Sequence, residues 1–90
     1  MNQENAKAGS SVKDVAIEYC VTCNFRPMAA VLAKQVEMEL GVKPELVPST
    51  VSGAFEIKAD NEMVFSKTQS GRFPQQGEVV QILKSKTKRE

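Results

Sequence analysis

The first regular pattern along the chain is an alternation of apolar and polar residues in VKDVAIEY, residues 12–19. Val15, Ile17 and Tyr19 fall on one face, and this period of two predicts a strand that buries that face. The spacing then becomes helical, with apolar residues three or four positions apart: Phe25, Met28, Ala29, Leu32, Val36 and Leu40. Gly41 is predicted to end this helix as its C-terminal cap.

Three further strands are predicted in the second half of the chain. The segment PELVP, which begins at Pro44, indicates a short strand at the sheet edge, because proline has no N–H to donate to a ladder. GAFEIKA (53–59) and EMVFSK (62–67) also alternate. They predict a hairpin in which Asp60 and Asn61 form the two-residue turn, since both residue types tolerate positive φ.

Pro74 is predicted to begin a second helix after a loop at TQSGRF, because proline suits the first helical turn. The apolar stripe of that helix is Val79, Ile82 and Leu83. The order β-α-β-β-β-α predicts an α+β fold (α/β two-layer), since a strand, a crossover helix and a strand form a right-handed parallel unit. We expect a four-stranded mixed sheet with both helices on one face, and Glu18, Glu56 and Lys58 on the other face.

Length and composition narrow the class of protein. Ninety residues are expected to form one domain. It is predicted to span 12–84, between a disordered N-terminal tail (1–11) and a basic C-terminal tail (85–90). With 26% charged residues and a net charge of +1, no affinity for nucleic acid or membrane is expected. No apolar run reaches the roughly 18 residues of a membrane helix, and no signal-peptide core is recognised, so a cytoplasmic location is expected.

The two cysteines, Cys20 and Cys23, lie in the stretch YCVTC. This stretch joins the first strand to the first helix, which is where thioredoxin-like redox proteins carry C-x-x-C. In a reducing compartment such a pair is more often catalytic or metal-binding than a structural disulfide. A helix N-terminus stabilises a thiolate, and the short spacer lets one thiol resolve a mixed disulfide formed by the other.

Two other interpretations of the pair stay open at this point. A structural zinc site needs four ligands, usually Cys or His. With two cysteines and no histidine, the chain would have to share such a metal with a second copy, so no metal site within one chain is predicted. The pair is also compatible with two buried, inert residues.

Four short blocks carry a resemblance to a known family: IEYCVTC, SGAFEI (52–57), VFSK (64–67) and GRFP (71–74). In their order and spacing the chain resembles the selenoprotein W-like (Rdx) family, which includes the selenoproteins W, T and H. The resemblance covers about Val12 to Leu83, and it implies a thioredoxin-like fold and a thiol-based oxidoreductase. The family carries C-x-x-C or C-x-x-selenocysteine, so the selenocysteine position corresponds to Cys23.

The roles of the two cysteines are open between two assignments. In thioredoxins the first, more exposed cysteine attacks, which would make Cys20 the nucleophile and Cys23 the resolving residue. The selenocysteine position in the Rdx family implies the reverse. We prefer Cys23 as the attacking and Cys20 as the resolving cysteine, because a selenol is useful mainly at the nucleophile.

Two neighbouring segments are predicted to shape the site. The regular helix begins either near Pro27, which leaves both cysteines in a loop, or directly after Asn24 as its N-cap. The loop before the third strand is expected to lie beside the cysteines. In thioredoxins the corresponding loop carries a cis-proline that faces the cysteine motif. The backbone of Thr50, Ser52 and Gly53 is therefore the candidate substrate-binding surface. The alternative is that Gly53 serves only a turn that needs positive φ.

The preferred hypothesis is a small thiol-disulfide oxidoreductase of cell redox homeostasis that cycles Cys20 and Cys23 between dithiol and disulfide. It would bind no cofactor, take electrons from glutathione or thioredoxin, and reduce protein disulfides or a peroxide. The alternative hypothesis is a non-catalytic, redox-sensing adapter of the same fold that binds partner proteins. A monomer or weak dimer is expected in either case.

Overall fold

Seven helices and strands account for most of residues 12–87, which are the residues that the computed structural model describes. In chain order they are β1 (Val15–Cys20), α1 (Arg26–Leu40), β2 (Glu45–Ser49), β3 (Phe55–Ala59), β4 (Glu62–Ser66), α2 (Lys67–Ser70) and α3 (Glu78–Thr87). The sequence predicts all of them except α2, whose first residue was predicted as the end of a strand and whose other three residues were predicted as a loop. The predicted tail at 1–11 lies outside the described residues. Within the described part, no helix is long and apolar enough to cross a membrane.

The four strands form one mixed sheet in the order β2-β1-β3-β4. β1 runs parallel to β2 and antiparallel to β3, and β3 runs antiparallel to β4. This arrangement confirms the parallel β-α-β unit followed by a hairpin. It also confirms that β2, the strand that contains Pro48, lies at an edge of the sheet. The C-terminal end of β1 is therefore held between two neighbouring strands, and the cysteine stretch leaves the sheet from its centre.

The core lies between one face of the sheet and the two longer helices. The strands contribute the alternating residues that the pattern predicts, and the helices contribute their apolar stripes: Val15, Ile17, Tyr19, Phe55, Ile57, Ala29, Val36, Val79 and Leu83 are all buried. Ile17, Ile57 and Leu83 are fully enclosed. Because buried residues of β1, β3 and β4 form one core with residues of both helices, the predicted two-layer arrangement is confirmed.

The β3–β4 hairpin marks the end of the sheet that is opposite the cysteines. Asp60 and Asn61 have φ of 51° and 69°, which are the left-handed conformations predicted for a two-residue turn. The Asp60 carboxylate also accepts the N–H groups of Lys13 (3.1 Å) and Asp14 (2.9 Å), just before β1. Lys86 on α3 pairs with Glu62 at the start of β4, at 2.9 Å.

Helix α3 differs from its prediction at both ends. Gly77 has a φ of 81°, a left-handed conformation that interrupts a helix, so α3 begins at Glu78 and not near Pro74. The N–H of Glu78 donates to the carbonyl of Gln75 at 2.9 Å, which makes the segment after Pro74 a turn. The helix then runs to Thr87, past the predicted domain end at residue 84.

Candidate active site

The two cysteines lie at the carboxyl end of β1, in the turn that leaves the sheet. Cys20 is the last residue of β1, and its N–H donates to the carbonyl of Ala54 at 2.8 Å. A turn over Val21–Asn24 brings Cys23 back toward Cys20, and Asn24 adopts a positive φ of 63° there. The two Cα atoms are 5.3 Å apart, and the sulfurs are joined in a disulfide. The structure therefore holds the oxidised form of the motif.

Burial distinguishes the two cysteines. Cys20 is 2% exposed, whereas Cys23 is partly exposed. The thioredoxin-based alternative, in which the first cysteine is the more exposed one, does not fit this pair. Its position explains the difference, because Cys20 is still part of a central strand and Cys23 lies in the turn outside the sheet. Thiol–disulfide exchange requires access to the sulfur, so this burial favours Cys23 as the residue that meets a substrate.

Hydrogen-bond donors face both sulfurs. The N–H of Gly53 donates to Cys23 Sγ at 3.3 Å, and the N–H of Cys23 donates to Cys20 Sγ at 3.2 Å. The Thr22 hydroxyl oxygen lies 3.4 Å from Cys20 Sγ. Hydrogen bonds to the charged form of a group favour that form, so these donors can stabilise a thiolate at either position once the disulfide is reduced.

Helix α1 begins after the cysteine turn. Its N-cap is Phe25, which has no side-chain hydrogen bond to the helix, and Pro27 lies in its first turn. The alternative in which Asn24 caps the helix is therefore wrong. Both cysteines precede the helix, as the other alternative has it, but only Cys23 lies in the turn, because Cys20 still belongs to β1. The field of the helix dipole fades within about one turn of the helix N-terminus. Because Cys23 precedes that terminus, the dipole stabilises a Cys23 thiolate less than it would stabilise a thiolate at the N-cap of the helix.

The loop after β2 lies beside Cys23. Gly53 has a φ of 81°, so this turn does favour glycine, and the same residue supplies the N–H that reaches Cys23. Thr50 and Ser52 are exposed, and within the described residues no hydrogen bond joins either of them to a cysteine. Ser49, which the sequence pattern missed, accepts a backbone N–H of this loop at 3.0 Å. The substrate-binding roles of Thr50, Ser52 and Gly53 stay predictions.

Three phenylalanine rings pack together close behind the motif. Phe25 lies 4.8 Å from Phe73 and 6.3 Å from Phe55, and the Phe55 and Phe73 rings are 5.3 Å apart, all edge to face. The Lys67 ammonium lies 5.6 Å from the Phe25 ring and 5.1 Å from the Phe73 ring. Since the Phe25 N–H also donates to the Cys20 carbonyl at 3.3 Å, this cluster anchors the end of the cysteine turn.

Glu56 is a buried carboxylate that sequence reasoning placed on the open face of the sheet. It is 7% exposed, and it accepts hydrogen bonds from the hydroxyls of Ser66 and Thr68 and from the N–H groups of Phe55 and Thr68. Burial raises the pKa of Glu56, but these hydrogen bonds outweigh it and hold the pKa below its ordinary value. Glu56 pairs with Ser66 only because the ladder shifts register between Ile57 and Lys58, and the sequence pattern gave no signal of that shift.

The described residues bring no metal-binding cluster together. Between residues 12 and 87, no group of three or more His, Cys, Asp or Glu side chains is arranged to hold an ion. The interpretation of a zinc site shared between two copies would need ligands from both chains and is not tested by one chain.

The match to a family covers the elements that build this site. The sequence model of the Rdx family matches residues 14–85. The chain belongs to the Rdx family. Over 79 residues it is 34% identical to Migration and invasion enhancer 1 from Mus musculus, covering 87% of this chain and 67% of that protein. The protein of the same name from Bos taurus is 31% identical over 71 residues, covering 78% and 61% of the two chains. This Rdx protein thus spans about two thirds of the length of these relatives.

Solved structures resemble this Rdx protein along most of its length. A crystal structure from Bordetella parapertussis is 26% identical, with a TM-score of 0.75, and covers 83% of this chain and 98% of its own. A selenoprotein W-related protein from Vibrio cholerae is 21% identical, with a TM-score of 0.74, and covers 82% and 95%. The predicted family and the predicted thioredoxin-like α+β fold are therefore both confirmed.

Proposed function

We propose that this Rdx protein is a small thiol–disulfide oxidoreductase that cycles Cys20 and Cys23 between dithiol and disulfide. The observation that carries the proposal is the unequal pair: a buried Cys20 and a partly exposed Cys23 joined in one disulfide. Donors at both sulfurs support it, since they favour the thiolates that such chemistry uses.

In the reducing direction, the proposed reaction begins at Cys23. Its thiolate attacks a substrate disulfide, a mixed disulfide forms, and one substrate thiolate leaves. Cys20 then attacks Cys23 Sγ, which closes the internal disulfide and releases the second substrate thiolate. Cys20 is suited to this second step because it needs to reach only its neighbour in the turn. Glutathione or thioredoxin would return the two electrons, and we propose protein disulfides rather than peroxide as the substrates, in the cytoplasm.

The reduction potential of the pair tests this function. The protein is equilibrated in glutathione buffers of varied ratio and its free thiols are trapped. A reversible internal disulfide between roughly −180 and −270 mV, the range from protein disulfide isomerase to thioredoxin, is expected. The Cys20→Ser variant should accumulate a mixed disulfide at Cys23, and the Cys23→Ser variant should not exchange. If the disulfide forms but no substrate is turned over, the redox-sensing adapter becomes the better explanation.

A further inference from the structure

An apolar groove runs along α1, beside the segment that precedes α3. It has a volume of about 330 Å³ and is lined by Pro27, Met28, Val31, Leu32, Phe55 and Pro74 together with three glutamines. Core packing does not account for Met28 and Val31, which are exposed, because α1 buries Ala29 and Val36 on another side. The helix therefore presents apolar side chains to solvent in its first turns, directly after the cysteine turn.

Exposed apolar residues also lie in the two segments that hold Cys23 and contact it. Val21 lies between the two cysteines, and Val51 belongs to the loop whose Gly53 N–H reaches Cys23; both valines are exposed. Pro27, which lines the groove, follows Cys23 by four residues, a chain length of at most about 14 Å. An extended peptide of about five residues covers that distance, so a substrate bonded to Cys23 can also reach the groove.

The groove is uncharged, and this distinguishes between classes of substrate. None of its nine lining residues carries a charge. Glutathione carries two carboxylates and an ammonium group at neutral pH, and unpaired charges lose free energy when they are desolvated. An apolar segment gains free energy from the same burial. We propose that the groove binds an apolar, uncharged segment of a substrate protein, next to the cysteine that exchanges with Cys23.

This inference names the class of substrate for the proposed oxidoreductase, and it rests on that proposed function. In the reducing direction, the Cys23 thiolate bonds to the sulfur adjoining the docked segment, and the other substrate sulfur leaves as a thiolate. Cys20 then displaces the docked segment's thiolate from Cys23. Two electrons pass from the protein dithiol to the substrate disulfide, and the substrate accepts two protons from solvent as its thiolates equilibrate.

Two short peptides and two matched variants test the groove. In one peptide the cysteine is flanked by leucine, valine and phenylalanine, and in the other by glutamate and serine; each cysteine carries nitrothiobenzoate as a coloured leaving group. We expect the reduced protein to react about tenfold faster with the apolar peptide, because one buried apolar side chain is worth about that factor. Met28→Glu should bring the ratio of the two rates close to one. Met63→Glu is the control, because Met63 is 42% exposed, like Met28 at 41%, but lies on β4.

A binding measurement tests the groove independently of thiol–disulfide exchange. Fluorescent versions of both peptides, with serine in place of cysteine, are titrated with the protein and followed by anisotropy. Preferential binding of the apolar peptide that Met28→Glu abolishes, and that Met28→Leu retains, supports the groove even if exchange fails. Equal binding and equal exchange rates for the two peptides overturn the substrate class and leave the oxidoreductase intact. Absence of exchange with any disulfide contradicts the oxidoreductase itself, and the binding result then decides the groove alone.

Discussion

The buried carboxylate of Glu56 leads to a quantitative prediction for the stability of the fold. The Glu56→Gln substitution keeps the size of the side chain but replaces one carboxylate oxygen by an NH₂ group. The amide oxygen can still accept the two hydroxyl hydrogen bonds from Ser66 and Thr68. The NH₂ group then faces the N–H groups of Phe55 and Thr68, which the carboxylate accepts at 3.2 Å each.

The expected loss follows from these two unsatisfied donors. A buried donor that loses its acceptor costs about 1–3 kcal/mol. Because the Thr68 N–H is only partly buried, we place the decrease in the free energy of unfolding near the low end, at about 2–4 kcal/mol. The matched control is Glu18→Gln. Glu18 pairs with Glu56 across the β1–β3 ladder and accepts none of these four hydrogen bonds, so its substitution should change stability by less than about 0.5 kcal/mol.

The assay is urea unfolding of the three proteins at several pH values. The pKa of Glu56 is lower in the folded than in the unfolded chain, so its contribution is complete above the ordinary pKa of 4.5. That contribution is lost as the pH falls through the lowered folded pKa. The stability gap between wild type and Glu56→Gln should therefore narrow below pH 4.5. A Glu56→Gln protein within 0.5 kcal/mol of wild type at neutral pH, or a gap that widens in acid, would refute this reasoning.

Three further predictions concern single contacts. The bidentate hydrogen bonds from Arg72, together with the Gln75 N–H, lower the pKa of Glu78 to about 2. In the Arg72→Gln variant that pKa should rise toward 4.5, which NMR titration of the Glu78 carboxyl measures. An unchanged pKa would show that Arg72 is not the cause. Asn61→Gly should raise the free energy of unfolding by about 0.5 kcal/mol, because glycine adopts the positive φ of this turn without strain; a lower melting temperature would count against it. Gly53→Ala should lower the free energy of unfolding by about 1 kcal/mol through backbone strain alone, since the added Cβ meets no atom within 4 Å, and a stabilised variant would contradict this.

Features with a local signal were predictable from the sequence. The alternation of Val15, Ile17 and Tyr19 placed these residues in the core, because side-chain direction in a strand has a period of two. The Asp60–Asn61 turn was predictable because few residue types tolerate positive φ at both positions. The order of elements then determined the topology, since a right-handed β-α-β unit leaves few arrangements for the remaining hairpin.

Features that depend on distant parts of the chain were not predictable in the same way. The burial of Glu56 requires the hydroxyls of Ser66 and Thr68, which only the completed hairpin brings to it. The cysteine motif is a local pattern and does not indicate which of the two sulfurs the neighbouring strands enclose. The burial of Cys20 therefore had to be read from the folded structure. At Gly77 two local rules competed, and positive φ there prevailed over the preference of Pro74 for a helix start.

The ends of the described chain are held at the hairpin side of the sheet. The segment before β1 is bound there by the Asp60 carboxylate, and Lys86 of α3 pairs there with Glu62 of β4. β1 has six residues and is about 20 Å long. Residue 12 and residue 87 therefore lie roughly a strand's length away from the disulfide. A dye or an electrode linker attached to the exposed side chain of Lys13, next to residue 12, would leave Cys23 accessible. The redox chemistry of this protein can thus be measured on an immobilised or labelled chain without blocking the sulfur under study.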